Sequence, residues 1–213
     1  MLNRITKEQL IITGLVLFKL CIHLVTNTNY ELHRDALLYY SLGEHLDWGY
    51  ASVPPFIALI SNFSTFVFGN TVFALRFFPA LIGSVSVLII AKIVKELKAG
   101  ILAIIIAVLA FIFSPAFLRS NTLFQPVSFN QFFWLFSGYL IIRLLNTQNH
   151  KYWLGIFIVF GIGFLNKYSI AFFIVSSLIA MLLTRHRNLL KSKYFFAGGL
   201  LGIVIILPNL IWQ

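Results

Sequence analysis

Acidic residues are scarce: six Asp and Glu stand against 16 Lys and Arg in 213 residues, and charged residues of both signs make up 10% of the chain. Soluble domains carry about 25% charged residues. The deficit, together with 60% hydrophobic residues and a mean hydropathy of +0.92, excludes a soluble globular protein. Cysteine is almost absent. Cys21 has no second thiol to pair with, which excludes an intramolecular disulfide and leaves the redox compartment unreadable; within the first apolar run it is expected to be buried. Internal repeats, low-complexity tracts and a separate polar domain are also missing. The net charge of +10 does not indicate nucleic acid, because the basic residues form short clusters between apolar runs and no continuous face. They read as topology signals and as contacts for membrane lipid head groups. The class that remains is an all-α integral membrane protein.

Using about 17 to 25 residues per crossing, spans are expected at Leu10–Thr26, Val72–Val94, Ile101–Phe117, Phe129–Leu145, Trp153–Leu165, Ile170–Thr184 and Phe195–Trp212, a multi-span bundle of about seven transmembrane helices. The fifth and sixth are short and meet at Asn166-Lys167-Tyr168-Ser169, which predicts a tight hairpin or a tilted pair. Phe56–Phe68 is apolar but too short to cross; after the Pro54-Pro55 break it reads as an interfacial helix in the loop between the first two spans. No small-x-small cleavage site follows the first run, so it is a retained helix, and its Lys19 and His23 should face protein or water rather than lipid. The sequence closes on Pro208-Asn209-Leu210-Ile211-Trp212-Gln213 with no polar tail, and is expected to be part of a longer polypeptide.

Orientation follows from the basic residues. With the N-terminus inside, Arg4, Lys7, Lys92, Lys95, Lys98, Arg143, Lys151, Arg185, Arg187, Lys191 and Lys193 lie on the cytoplasmic side, eleven of the sixteen. The loop of about residues 27–71 then faces away from the cytoplasm. It holds four of the six acids, Glu31, Asp35, Glu44 and Asp47, within the stretch Glu31–Pro55. Chemistry is to be sought there.

Asp35 precedes Ala36–Leu46, whose apolar spacing at Leu38, Leu42 and Leu46 is helical, so it is expected to cap that helix. A carboxylate held at a helix N-terminus beside Arg34 stays ionised, which is also what a general base requires. Tyr39 and Tyr40, one turn on, suit either a substrate wall or an interfacial aromatic belt. His33-x-Asp35 and His45-x-Asp47 offer ligands for a divalent metal, but at 1.5 Å per residue the pairs lie about 18 Å apart, and no metal or other cofactor is required. Arg76, Arg119 and Lys167 are the other outer cations. Each either snorkels to the interface or neutralises a lipid-borne phosphate, with Lys167 the foremost for its place between two short spans.

Taken together, Arg34-Asp35, Tyr39-Tyr40, Gly43-x-His45-Leu46-x-Trp48-Gly49-Tyr50 and Pro54-Pro55-Phe56-x-Ala58-Leu59 resemble the first outer loop of the GT-C glycosyltransferases, in the branch of protein O-mannosyltransferases and lipid A aminoarabinose transferases. The resemblance continues through Arg76-Phe77-Phe78-Pro79-Ala80-Leu81-x-Gly83, Gln125-Pro126-Val127-Ser128-Phe129-Asn130-Gln131-x-Phe133-Trp134, Gly161-x-Gly163-x-Leu165-x-Lys167-Tyr168 and Leu207-Pro208-Asn209-Leu210-x-Trp212-Gln213.

The resemblance implies an enzyme that moves a sugar from a polyprenyl-phosphate donor to a lipid, glycan or protein acceptor outside a bacterial inner or plasma membrane. It implies Asp35 as the catalytic base, beside which the residues themselves offer Arg34, Tyr39, Tyr40, Arg76, Arg119 and Lys167 as the donor-binding set. Three departures leave Asp35 as the one candidate base: Ala36 replaces a second acid, Ser52-Val53 stand near the Pro-Pro pair, and Asn130 stands where aspartate is common. Members are longer, so residues 1–213 correspond to the N-terminal part of such a domain. The competing readings are a non-catalytic membrane assembly subunit and a transporter. A transporter would place its charges within spans near the midplane, whereas here they cluster in loops.

Overall fold

The computed structural model describes residues 6–213, so Arg4 of the orientation count lies outside the described residues. These residues fold into α1 (Lys7–Thr26), α2 (Arg34–Glu44), α3 (Phe56–Phe68), α4 (Val72–Glu96), α5 (Ile101–Phe113), α6 (Pro115–Thr122), α7 (Pro126–Thr147), α8 (Tyr152–Asn166), α9 (Ile170–Leu182), a 3-10 turn (Arg185–Lys191) and α10 (Lys193–Trp212). No strand occurs among the described residues.

Local chemistry sets the ends. Thr6 and Gln9 form a reciprocal capping box on α1, and the Thr71 hydroxyl accepts the Ala74 N–H to start α4. Pro115 and Pro126 occupy the first positions of α6 and α7, where a missing N–H costs nothing. Pro115 also bends α6 by 59° from α5.

Three helices, α1, α4 and α10, are long and apolar enough to cross a membrane, and the bent pairs α5 with α6 and α9 with the 3-10 turn raise the number to five. Against the expectation of about seven, α8 has only 15 residues, about 22 Å of rise, and α7 is diluted by Asn130, Gln131 and Arg143. Helical membrane architecture is clear from this composition.

Polar bonds divide the bundle into two ends. At one, Lys95 pairs with Glu8 (2.6 Å), Arg143 with Glu96 (2.5 Å), and the Trp153 indole donates to the Leu189 carbonyl (3.0 Å). At the other, Gln125 meets Asp35, Asn166 donates to the Pro126 carbonyl, Tyr168 donates to Asn209, and Asn209 donates to the Trp48 carbonyl. The basic clusters and the acidic loop therefore sit at opposite ends.

The main core surrounds Trp153, Phe157 and Phe129 on α8 and α7. Against it α10 packs closely because Gly198 has no side chain: a Cβ there would lie 2.8 Å from the Trp153 carbonyl oxygen. Lys19 and His23 are 0% and 3% exposed and face protein, as their cost in lipid demands. Cys21 corrects the expectation of burial: it is exposed on the outward face of α1, since a turn that points Lys19 and His23 inward points residue 21 out.

Candidate active site

The acidic segment folds as α2, a short loop and α3. The two helices touch at Gly43, where a Cβ would lie 2.7 Å from that of Ser61, and the Asn62 amide donates to the Gly43 carbonyl (3.0 Å). Tyr50 ties the intervening loop, donating to the His45 carbonyl (2.9 Å) and accepting the Asp47 N–H (3.0 Å). Asp47 itself accepts the Trp48 N–H at 2.7 Å, which is a local turn bond.

Asp35 is not the helix cap. The cap is His33, whose Nδ1 accepts the Asp35 N–H (3.3 Å), and Asp35 lies in the first turn with its carboxylate free of the backbone. Imidazole competes for the cap because its ring nitrogen reaches the same N–H that a capping hydroxyl would take. The Asp35 side chain is 39% exposed. Its Oδ2 accepts from Gln125 Nε2 (3.0 Å), and Arg34 Nε lies 3.4 Å from Oδ1 on a side chain that is 91% exposed. Oδ2 is thus held by a neutral amide with His33 Nδ1 3.6 Å away, Oδ1 faces an open cation, and the carboxylate stays partly accessible. Tyr39 packs edge-on to Phe124 (6.4 Å) one turn along; burial, and then the Asp35 charge, hold its hydroxyl above the usual phenol range, so it stays a proton donor beside the carboxylate. Tyr40 points elsewhere, into a cavity of about 250 Å³ with Leu32, Thr65 and Asn70. His33 and Asp35 supply two metal ligands without a third: among the described residues no group of three or more His, Cys, Asp or Glu could hold an ion.

The three cations separate. Arg76 is 4% exposed, and its guanidinium donates to the carbonyls of Asn27 and Tyr30 and, at 2.6 Å, of Glu31. It is committed to the turn that delivers α2 and is not open to a ligand. Arg119 is exposed on α6, beside a groove of about 460 Å³ shared with His23 and Thr122 of α1 and α6. Lys167 follows α8, exposed, and lines a cavity of about 330 Å³ with Tyr50, Ser52, Asn166 and Ser169.

The sequence alone assigns no role to Gln125, Asn166 or Asn209, yet these join the site. Asp35 binds Gln125; the next carbonyl, Pro126, accepts from Asn166 Nδ2 (3.0 Å); and Lys167 is next in the chain. Two signals point to them: Asn166 and Asn209 interrupt apolar runs, where an amide is retained only with a partner, and Gln125 stands before a helix-opening proline.

A model of the family described as dolichyl-phosphate-mannose-protein mannosyltransferase matches residues 52–212, more than half of the chain. The matched range contains Arg76, Arg119 and Lys167; Arg34, Asp35, Tyr39 and Tyr40 precede it. No curated protein and no solved structure matches the chain.

Proposed function

We propose that this chain, which belongs to the dolichyl-phosphate-mannose-protein mannosyltransferase family and so to the GT-C glycosyltransferases, transfers a sugar from a polyprenyl-phosphate donor to an acceptor on the extracytoplasmic side of a membrane. Residues 1–213 act as the N-terminal part of that enzyme's membrane domain, with residues 27–71 as its outer loop. The observation that carries this reading is the accessible Asp35 carboxylate, held by Gln125 at the end of the bundle where Lys167 and Arg119 are also free to meet an anion.

In the proposed reaction the acceptor hydroxyl gives its proton to Asp35 as its oxygen bonds to the anomeric carbon. The bond from that carbon to the phosphate oxygen breaks, and its electron pair leaves on the lipid phosphate. Base assistance of this kind contributes about 10²- to 10⁴-fold. Lys167, and Arg119 from the other side of α7, screen the charge left on the phosphate; Arg76 serves by holding the 27–31 turn. Arg34 and Gln125 orient the carboxylate, and Tyr39 borders the loop that the sugar approaches, whereas Tyr40 is turned into its own cavity. A single displacement inverts the anomeric centre.

The direct test supplies membranes containing the protein with polyprenyl phosphate carrying a labelled sugar. Transfer of label to an endogenous acceptor, with inverted configuration and release of polyprenyl phosphate, is the expected result. Retained configuration would contradict a single displacement, and label that stays on the carrier across a panel of sugars would point to the non-catalytic subunit.

A further inference from the structure

Asn209, in the last turn of α10, takes no part in the reaction above, yet it is 0% exposed and both ends of its carboxamide are used. Its Nδ2 donates to the Trp48 carbonyl (2.7 Å), and its Oδ1 accepts from the Tyr168 hydroxyl (3.0 Å). A backbone carbonyl can only accept, so the amide has one orientation: a flip would set two acceptors against each other. The loop comes this close because Gly49 has no side chain. A Cβ there would lie 2.5 Å from the Trp212 ring and 2.9 Å from Asn209 Nδ2.

The two partners belong to different walls of one cavity. The space of about 330 Å³ beside Lys167 is lined by residues 50–54 and by residues 166–169. Trp48 leads into the first wall, and Tyr168 is part of the second, next to Lys167. Each wall is otherwise tied to its own surroundings. The Tyr50 hydroxyl bonds to His45 and Asp47 within the loop, whereas Asn166 and Ser169 bond to Pro126 and Asn130 of α7. Among the described residues, Asn209 is the one residue hydrogen-bonded to both segments. Short connecting segments open locally at low cost unless a rigid element holds them, and here the last turn of α10 does so. The spacing matters for the cation in the wall, because a charge acts on an anion in inverse proportion to distance and a misplacement of about 1 Å can cost about 10²-fold in rate.

We propose that Asn209 is a positioning residue that fixes the width of the Lys167 cavity by holding the 48–54 loop and the 166–169 turn at one spacing. The use made of the cavity, with Lys167 meeting the donor phosphate, rests on the glycosyl-transfer reading above; the clamp itself does not.

The test uses the full chain in nanodiscs and reads amide hydrogen exchange by mass spectrometry, then the affinity for farnesyl phosphate. Asn209→Leu keeps the volume and removes both bonds, and Trp48 and Tyr168 are 59% and 39% exposed, so their freed groups turn to water. Exchange should quicken about tenfold in residues 45–50 and 166–171 together while α7 and α8 keep their protection. Tyr168→Phe, which cuts one of the two bonds, should loosen the 166–171 segment alone. Farnesyl phosphate should bind Asn209→Leu about tenfold more weakly, and in a Lys167→Ala background the same change should cost nothing further, since a clamp that acts through Lys167 has nothing left to place. Exchange that quickens in one segment only, or equally throughout the bundle, overturns the clamp, as do affinity losses that add in full. If Lys167→Ala binds farnesyl phosphate as the wild type does, the phosphate role of Lys167 fails, and paired loosening of the two segments in Asn209→Leu would still uphold the clamp.

Discussion

Replacing Arg76 by Met keeps the volume of a buried side chain and removes one guanidinium from the carbonyls of Asn27, Tyr30 and Glu31. Tyr30 and Glu31 are exposed, so their carbonyls regain water, and each lost bond then costs about 1 kcal/mol. Asn27 is 2% exposed and its carbonyl stays unpaired, at about 1–3 kcal/mol. The sum is about 3–5 kcal/mol, which at 2–4 °C per kcal/mol for a chain of this size lowers the melting temperature by roughly 6 to 20 °C. Arg76→Lys offers one ammonium without the planar fork and should recover less than half of the loss. A thiol-reactive dye melt in detergent, in a Cys21→Ser background with one buried reporter cysteine, reads the stability; prenyl-phosphate binding reads the alternative. Were Arg76 instead a donor-phosphate ligand, Arg76→Met would melt normally and bind the donor poorly, and that pair of results would rule out a structural role for Arg76.

Single cysteines at Asn29 and Arg187, both exposed, in the same Cys21→Ser background, should react with an impermeant reagent from opposite faces of intact cells, Asn29 from outside; reaction of both from one face contradicts the orientation. Lys167→Ala should weaken donor binding about tenfold or more with little change in melting, as expected for an exposed cation facing a phosphate, and Lys167→Arg should restore part of it. Unchanged donor affinity would assign Lys167 to snorkelling.

Much of the fold is legible in hydropathy because lipid enforces it: backbone groups in a bilayer must bond within a helix, so apolar runs report helices with few alternatives. The span from Val72, the short apolar run Phe56–Phe68 and the break after Asn166 all have counterparts in the helices observed. The 59° bend at Ser114-Pro115 is masked, although the proline is visible, because Ala116 and Phe117 carry the apolar run two residues past it. Within the site, residue types are legible and partners are not. Asp35 reads as a cap because spacing cannot tell which of two nearby groups reaches an N–H, and His33 reaches it. Arg76 reads as a phosphate ligand because a sequence carries its charge without the three carbonyls folded around it. Gln125 lies 90 residues from Asp35, a contact that arises only in the fold, where the cap residue of α7 meets the first turn of α2.

Sugar transfer as proposed requires Asp35 to take a proton from the acceptor. Asp35→Asn keeps the side chain's size and its hydrogen bonding with Gln125 after an amide flip, yet abolishes the basic lone pair. Because His33 supplies the cap, the exchange should leave the melting temperature and prenyl-phosphate binding near those of the wild type. Turnover of a polyprenyl-phosphate sugar by the full-length protein should fall by about 10² or more. A D35N enzyme that turns over at the wild-type rate would contradict the account.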